Sequence, residues 1–368
     1  MSARISTLSK QWLPVSGGSC DLRMGYDALD QAAPLFGDAV GRARRCMVVL
    51  DESLDKDIKE RLRRQLVYAD FDIRWHVAKA AHAGCVEEAQ RLYEAMAREH
   101  ITGEDLCCAI GGAEVLSLAS FVCAGWCDGI SFVAIPLNEA ALLEGALIPR
   151  SLDAGGLHAM VHVPASVRHV LLDYDLACSD WETETSRYAR ALMVSAAMTG
   201  SERSFSELWD TASAIANGDE EAYATQLIET AKRRGQTISS AAVAIRQSLE
   251  YGKTFMNALG RITGNELPES LLLAEGMRFC ARVAVSQGKF SIDDMLAQDE
   301  LLDTLGLEEV SCEVDSQRLA EEIRQELLLR GNRTMLLVPY AIGQVRYLSV
   351  SDDLLLEHCE AWCAAHCA

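Results

Sequence analysis

Residues 246–277 read RQSLEYGKTFMNALGRITGNELPESLLLAEGM, and this stretch decides the fold. Its first half has a helical period: Arg246, Glu250, Lys253 and Asn257 stand at i, i+4, i+7 and i+11, one face of an α-helix. Ile245, Leu249, Met256, Leu259 and Ile262 supply the apolar side of the same helix. One continuous helix is expected across SSAAVAIRQSLEYGKTFMNALGRI, residues 239–262. Four polar groups on one face can converge on a single space, or they can form a plain solvated surface. The pattern alone fits both.

The surrounding composition narrows the choice. At 368 residues the chain exceeds the roughly 250–300 at which single cores stop growing, so two domains are expected. Apolar residues make up 49% of it, enough for sizeable cores. A net charge of -20 excludes a sequence-independent nucleic-acid binder, which needs a basic surface to displace counterions. The partner expected is a small anionic substrate or metabolite, held by local cations. No run is apolar for long enough to cross a membrane, and MSARISTLSKQWLPVSGG lacks the apolar segment of a secretory signal. A cytoplasmic protein follows.

Thirteen cysteines in such a chain read as reduced, small apolar residues rather than a disulfide framework. Cys359, Cys363 and Cys367 recur every four residues beside His358 and His366, but three ligands at that spacing on a straight helix span about 12 Å, too long for one ion. Packing is the expected role. Cys123 and Cys127, also at helical spacing, are read as core.

The first half alternates β-rich and helical runs: RCMVVLDES, DKDIKERLRRQLVYAD, FDIRWHV, CVEEAQRLYEAMAREH and DLCCAIGGAEVLSLASFVCAGW. SFVAIP and VRHVLLD add two more strands. Apolar runs ending at Asp51 or at Gly111-Gly112, each followed by helical periodicity, imply a parallel sheet with ligands approaching the strand C-termini. Beyond LLDYDLACSD the chain becomes helical, so the expected domains are residues 1–178, a Rossmann-like α/β domain, and 179–368, an all-α domain. RTMLLVPYAIGQVRYLSV reads as one late hairpin turning at Gly343.

These features together resemble the dehydroquinate synthase family of sugar-phosphate cyclases. IGGAEVLSLASFVCAGWCDGI is similar to the family's GGGVxGDxAGFxAAxxxRG, LEYGKTFMNAL to LNFGHTFGHAL, and LLLAEGM to the end of HGExVxxGM; GNRTMLLVPYAIGQV looks like the closing GxxRFVLLxxIGxA. The order is kept over residues 20–357. The resemblance implies the family's two-domain fold, a dimer formed through the N-terminal domain, and a site that in the family combines NAD with a metal held by one Glu and two His.

Under the same resemblance the ligand positions are changed. The two histidine positions fall on Lys253 and Glu269, sixteen residues apart, and the glutamate position on Arg190. The phosphate-binding Lys reads as Met193, the Arg of the YxRG segment as Asp128, and the late DKK motif as Glu326-Leu327-Leu328. Arg246 matches a phosphate-contacting Arg, while its following Asn becomes Glu250 and the second His of HTxGH becomes Asn257. Gly111 and Gly112 remain of the nucleotide signature, whose third Gly is Ala113 and whose Asp is Ser117; Asp51 and Glu52 resemble the family's DEN turn. The GGKTGxN loop reads IPRSLDA around Arg150, and GExxKS reads AAHAGC.

Such a set implies no metal and gives NAD little support. The expected chemistry is a metal-independent lyase, cyclase or condensing reaction on a small anionic carbonyl compound, in specialised metabolism. Lys253 would serve as base or nucleophile and Glu250 or Glu269 as its proton-transfer partner. Arg246, Asn257, Arg190, Arg150 and Glu144 would hold the substrate. Two alternatives stay open. A non-catalytic pseudoenzyme would keep the fold for binding, with Lys253 and Glu269 as a structural ion pair; a working NAD- and zinc-dependent synthase would need relocated ligands such as His158 and His162.

Overall fold

The computed structural model of the chain describes residues 8–42, 44–79, 82–163, 167–177, 182–264, 266–331 and 333–366. The chain forms two compact units, Met1–Asp180 and Trp181–Ala368. Cys178 and Ser179, the expected domain boundary, lie outside the described residues, as do Ala80, Ala81 and Cys367. Among the described residues no helix is long and apolar enough to cross a membrane.

The first unit carries strands β1 (Ser9–Val15), β2 (Gly18–Gly25), β3 (Arg45–Asp51), β4 (Asp72–Ala78), β5 (Leu106–Gly111), β6 (Ser131–Pro136) and β9 (His169–Asp173) in one sheet, and β7 (Leu152–Ala154) with β8 (Leu157–Val161) in a small hairpin. Its helices are α1 (Ala33–Val40), α2 (Lys56–Tyr68), α3 (Val86–Arg98), α4 (Ala113–Gly125) and the short α5 (Glu139–Ala141) and α6 (Tyr174–Ala177). The sheet order is β1-β2-β9-β6-β5-β3-β4, parallel throughout except for the β1–β2 hairpin at the edge.

The central strands are apolar runs buried along nearly their whole length, as a sheet covered on both faces requires. Cys46, Val48 and Leu50 pack with Phe36 of α1 and Leu62 and Leu66 of α2. The alternate face is met by α4, with Cys107 of β5 and Cys123 of α4 both buried. Each fully buried Leu, Val or Phe contributes about 1.5–3 kcal/mol. From β3 the chain runs through α2 to β4 on one side and then through α3 to β5 on the other. The crevice beyond the C-terminal ends of β3 and β5 is therefore the topological switch point, and it receives Asp51 and Gly111.

The second unit comprises α7 (Glu184–Gly200), α8 (Glu202–Ala216), α9 (Glu220–Ile238), α10 (Val243–Gln247), α11 (Lys253–Ile262), α12 (Glu269–Ser286), α13 (Ile292–Thr304), α14 (Ser316–Arg330) and α15 (Asp352–His366), with the hairpin β10 (Met335–Ala341) and β11 (Gln344–Ser349). Side-chain caps start six of these helices: Thr183, Ser201, Asp219, Ser291, Asp315 and Ser351 each accept a backbone N–H of the first turn. Helix α12 is buried on nearly every side, the mark of a central helix. Inside it Glu275 accepts from Arg278 (3.1 Å) and from Trp362 Nε1 (2.9 Å), and Arg278 also reaches Asp303 (2.6 Å) and the Leu307 carbonyl (2.7 Å).

The expected single helix over residues 239–262 is not continuous. It breaks into α10, a 3₁₀ turn at Ser248–Glu250, and α11, with Gly252 left-handed at φ 85° between them. The cause lies on α12. A Cβ added at Gly276 would stand 2.0 Å from the Gly252 oxygen, so the turn backbone rests directly on α12 and both positions must be glycine. Tyr251 anchors the turn, fully buried, its hydroxyl donating to Gln298 Oε1 at 2.7 Å. Ile245, assigned from the sequence to the apolar face, is consequently 50% exposed.

Candidate functional site

The turn against α12 positions the charged residues singled out above. Lys253 is the first residue of α11, 21% exposed, with its Nζ 3.8 Å from Glu250 Oε1; Glu250 ends the 3₁₀ turn and is 47% exposed. Because Gly252 reverses the chain between them, the two meet at i, i+3 across a turn rather than along one helix face. Glu269 opens α12 and is exposed. Beside it, Glu184 of α7 accepts from both the N–H (2.7 Å) and the Oγ (2.8 Å) of Ser270, placing a carboxylate at the positive end of α12. Nothing in the sequence pattern marks Glu184, since its partner lies 86 residues away.

The other members of the stripe go elsewhere. Arg246 donates through Nη1 to the carbonyls of Ser240 and Ala241. Asn257 donates to Glu326 Oε1 at 2.9 Å, and Arg261 bonds the other oxygen of Glu326 at 2.8 Å and Glu322 at 3.0 Å. Glu326 is 5% exposed and Arg261 37%, so α11 and α14 are joined there by a partly buried polar contact. Arg190 is buried on α7, and its Nη1 lies toward Gly306 in the loop after α13. Met193 is core. The structure therefore gathers Lys253 with Glu250, and ties Arg246 and Asn257 into separate contacts.

In the first unit, Gly112 caps α4 with no side-chain hydrogen bond. Arg150 donates to Glu114 Oε1 at 2.9 Å, its Nε stands 3.4 Å from Glu144 Oε2, and its backbone N–H is accepted by Ser117 Oγ at 2.9 Å. Ser117 itself donates to the Ala113 carbonyl. Glu144 is buried in the π-turn Leu142–Ala146, where Gly145 fits over α4 so closely that a Cβ would come within 2.8 Å of Ala113 Cα. Asp51 accepts the Ser53 N–H at the end of β3. His158 pairs with Asp153 in the small hairpin of this unit, whereas Arg190, Lys253 and Glu269 all belong to the second unit.

Cys359 is buried and its thiol is pushed up to about 12 by desolvation, which suits packing against a thiolate role. His366 stacks on Trp362 and is held at Nδ1 by the Val310 carbonyl, while His358 Nε2 meets Ser286 Oγ at 2.8 Å. Among the described residues no three His, Cys, Asp or Glu side chains are grouped to hold a metal. The expectation for Cys127 needs correcting: it is exposed, because α4 ends at Gly125 and Cys127 takes a positive φ of 51° in the turn that follows. Cys123 is core as expected.

Comparison with known proteins agrees with the fold. The family described as 3-dehydroquinate synthase N-terminal matches residues 75–147. The 3-dehydroquinate synthase of Enterococcus faecalis is 24% identical over 342 residues, 91% of this chain and 94% of that protein. Among solved structures, 2-deoxy-scyllo-inosose synthase complexed with carbaglucose-6-phosphate, NAD+ and Co2+ superposes with a TM-score of 0.81 at 13% identity, covering 96% of this chain and 99% of the other. The 2-epi-5-epi-valiolone synthase of Streptomyces hygroscopicus subsp. jinggangensis, with NAD+ and Zn2+ bound, gives 0.79 at 15% identity, covering 98% and 99%. In sequence along 91% of its length, and in fold over 96% of it, the chain resembles the dehydroquinate synthase-like family of sugar-phosphate cyclases.

Proposed function

We propose that the chain is a metal-independent member of this family, a lyase, cyclase or condensing enzyme that acts on a small anionic carbonyl compound through Lys253. The observation that carries this reading is the Lys253–Glu250 pair: an amine at the start of α11, partly open to solvent, with a carboxylate 3.8 Å from it. A divalent metal does not fit the family's ligand positions, since Arg190, Lys253 and Glu269 bring two cations and one carboxylate where an ion needs neutral imidazoles and anions.

The chemistry available to this pair is carbonyl condensation. Glu250 takes a proton from the Lys253 ammonium, and the neutral amine adds to the carbonyl carbon, forming the C–N bond as the C=O π pair moves to oxygen. The nitrogen passes one of its protons to that oxygen and Glu250 returns the proton it took, so the oxygen leaves as water and an iminium remains. The iminium accepts the electron pair freed when an adjacent C–H or C–C bond breaks, with Glu269 as a second proton-transfer group. Hydrolysis returns the amine. Arg246, anchored on two carbonyls seven residues before Lys253, is the cation proposed to orient the substrate's anionic group.

A second reading, a binding protein without catalysis, is favoured by one specific feature. Asn257, at the second histidine of HTxGH, donates to Glu326 of the late DKK motif, and Glu326 also accepts from Arg261. Reductive trapping separates the two readings. The protein is incubated with pyruvate, glyoxylate or glyceraldehyde 3-phosphate and cyanoborohydride, then peptide-mapped by mass spectrometry. The catalytic reading expects preferential modification of Lys253 over the surface lysines, weakened in Glu250→Gln; labelling of Lys253 no faster than the others would leave the binding reading in its place.

A further inference from the structure

The nucleotide turn of the first unit carries a charge arrangement that opposes the ligand its architecture suits. The geometry around Gly111 and Gly112 is that of a diphosphate site: a strand ending at the switch point, two glycines, and a helix whose N-terminal N–H groups receive no side-chain cap. Glu114, however, stands in the first turn of α4, and its carboxylate folds back over the turn, 3.6 Å from where a Cβ on Gly112 would be. Arg150, the cation left in this region, is bonded by Glu114 and lies against Glu144.

We propose that Glu114 is an internal surrogate for a dinucleotide's diphosphate. Its negative charge answers the helix dipole that a diphosphate would otherwise answer, and it occupies the guanidinium that would otherwise face an incoming phosphate. The residues at this turn therefore do not fit NAD or any dinucleotide, and Glu114 is a specificity-determining residue that excludes the diphosphate class from a fold that suits it. The pairing is structural and independent of what happens at Lys253.

The test is calorimetric titration of NAD+ and of ADP-ribose into the wild-type chain and into Glu114→Gln, with circular dichroism confirming that both fold. Glu114 is half exposed, so the variant is expected to keep its helix. The wild type should show no saturable binding. Glu114→Gln should gain affinity by roughly tenfold or more, with the gain fading as salt is raised. Saturable micromolar binding by the wild type would overturn the proposal. So would a folded Glu114→Gln variant that binds no better than the wild type, because the exclusion would then lie elsewhere.

Discussion

Two glycine turns, one in each unit, have been treated differently by this sequence. Gly276 is held by sterics, because the Gly252 backbone lies where its Cβ would be, and Gly252 is held by its positive φ of 85° and by Met277 and Leu273 packed against it. Gly111 and Gly112 are less constrained. A Cβ on Gly112 would meet only the end of Glu114 at 3.6 Å, and one on Gly111 would press on Val115 at 3.0 Å. The first turn fixes the backbone that carries Lys253, while the second leaves room and is lined by the Glu114–Arg150 ion pair. A backbone contact at van der Waals limit resists drift because every substitution costs several kcal/mol, whereas an exposed charge at a helix terminus is worth about 0.3–1 kcal/mol and moves freely.

The largest expected effect breaks the steric side of that contrast. Gly276→Ala should destabilise the chain by about 3 kcal/mol or more, or prevent folding, read as a shift of the urea midpoint; Gly112→Ala should cost less than about 1 kcal/mol in the same measurement. Comparable losses for the two would remove the distinction. Next comes the buried pair in α12. Arg278→Met leaves Glu275, which is 0% exposed, without its cation, and about 3–5 kcal/mol of stability should be lost. Asn257→Ala should cost only about 1 kcal/mol, since Arg261 still holds Glu326, while Asn257→Ala with Arg261→Ala should cost more than the sum of the single changes.

The smallest effect is a pH dependence. Burial lowers the pKa of the His358 imidazole from its ordinary value, so the native state sheds a proton that the unfolded chain keeps. The stability contributed by this group is complete above about pH 6.5 and is lost as pH falls through the lower folded value. His358→Gln should flatten that part of the curve; an unchanged slope between pH 7 and 5 would show that His358 does not titrate on unfolding.

How much of this was legible in the sequence depends on how far apart the partners lie. The strands β3, β5 and β6 announce themselves as apolar runs followed by turn residues and helical periodicity. The hairpin β1–β2 does not, because SKQWLPV and GSCDLRMG mix polar and apolar residues at the sheet edge. The break at Gly252 is concealed by a helical period that continues on both sides of it, and its cause, Gly276, comes 24 residues later. Residue types at the site were readable, yet their pairings were not: Asn257 finds Glu326 across 69 residues and Arg150 finds Glu114 across 36. Charge alone cannot say whether a side chain faces a ligand or another side chain.

The central claim is that the family's frame persists while Lys253 and its carboxylate partner stand where a metal centre would be expected. Elemental analysis of the protein, purified without chelator and dialysed, addresses it most directly. The expected result is zinc, cobalt and iron far below one atom per chain, with Glu269→Ala no different from wild type. One tightly held metal per chain, lost in Glu269→Ala, would contradict it.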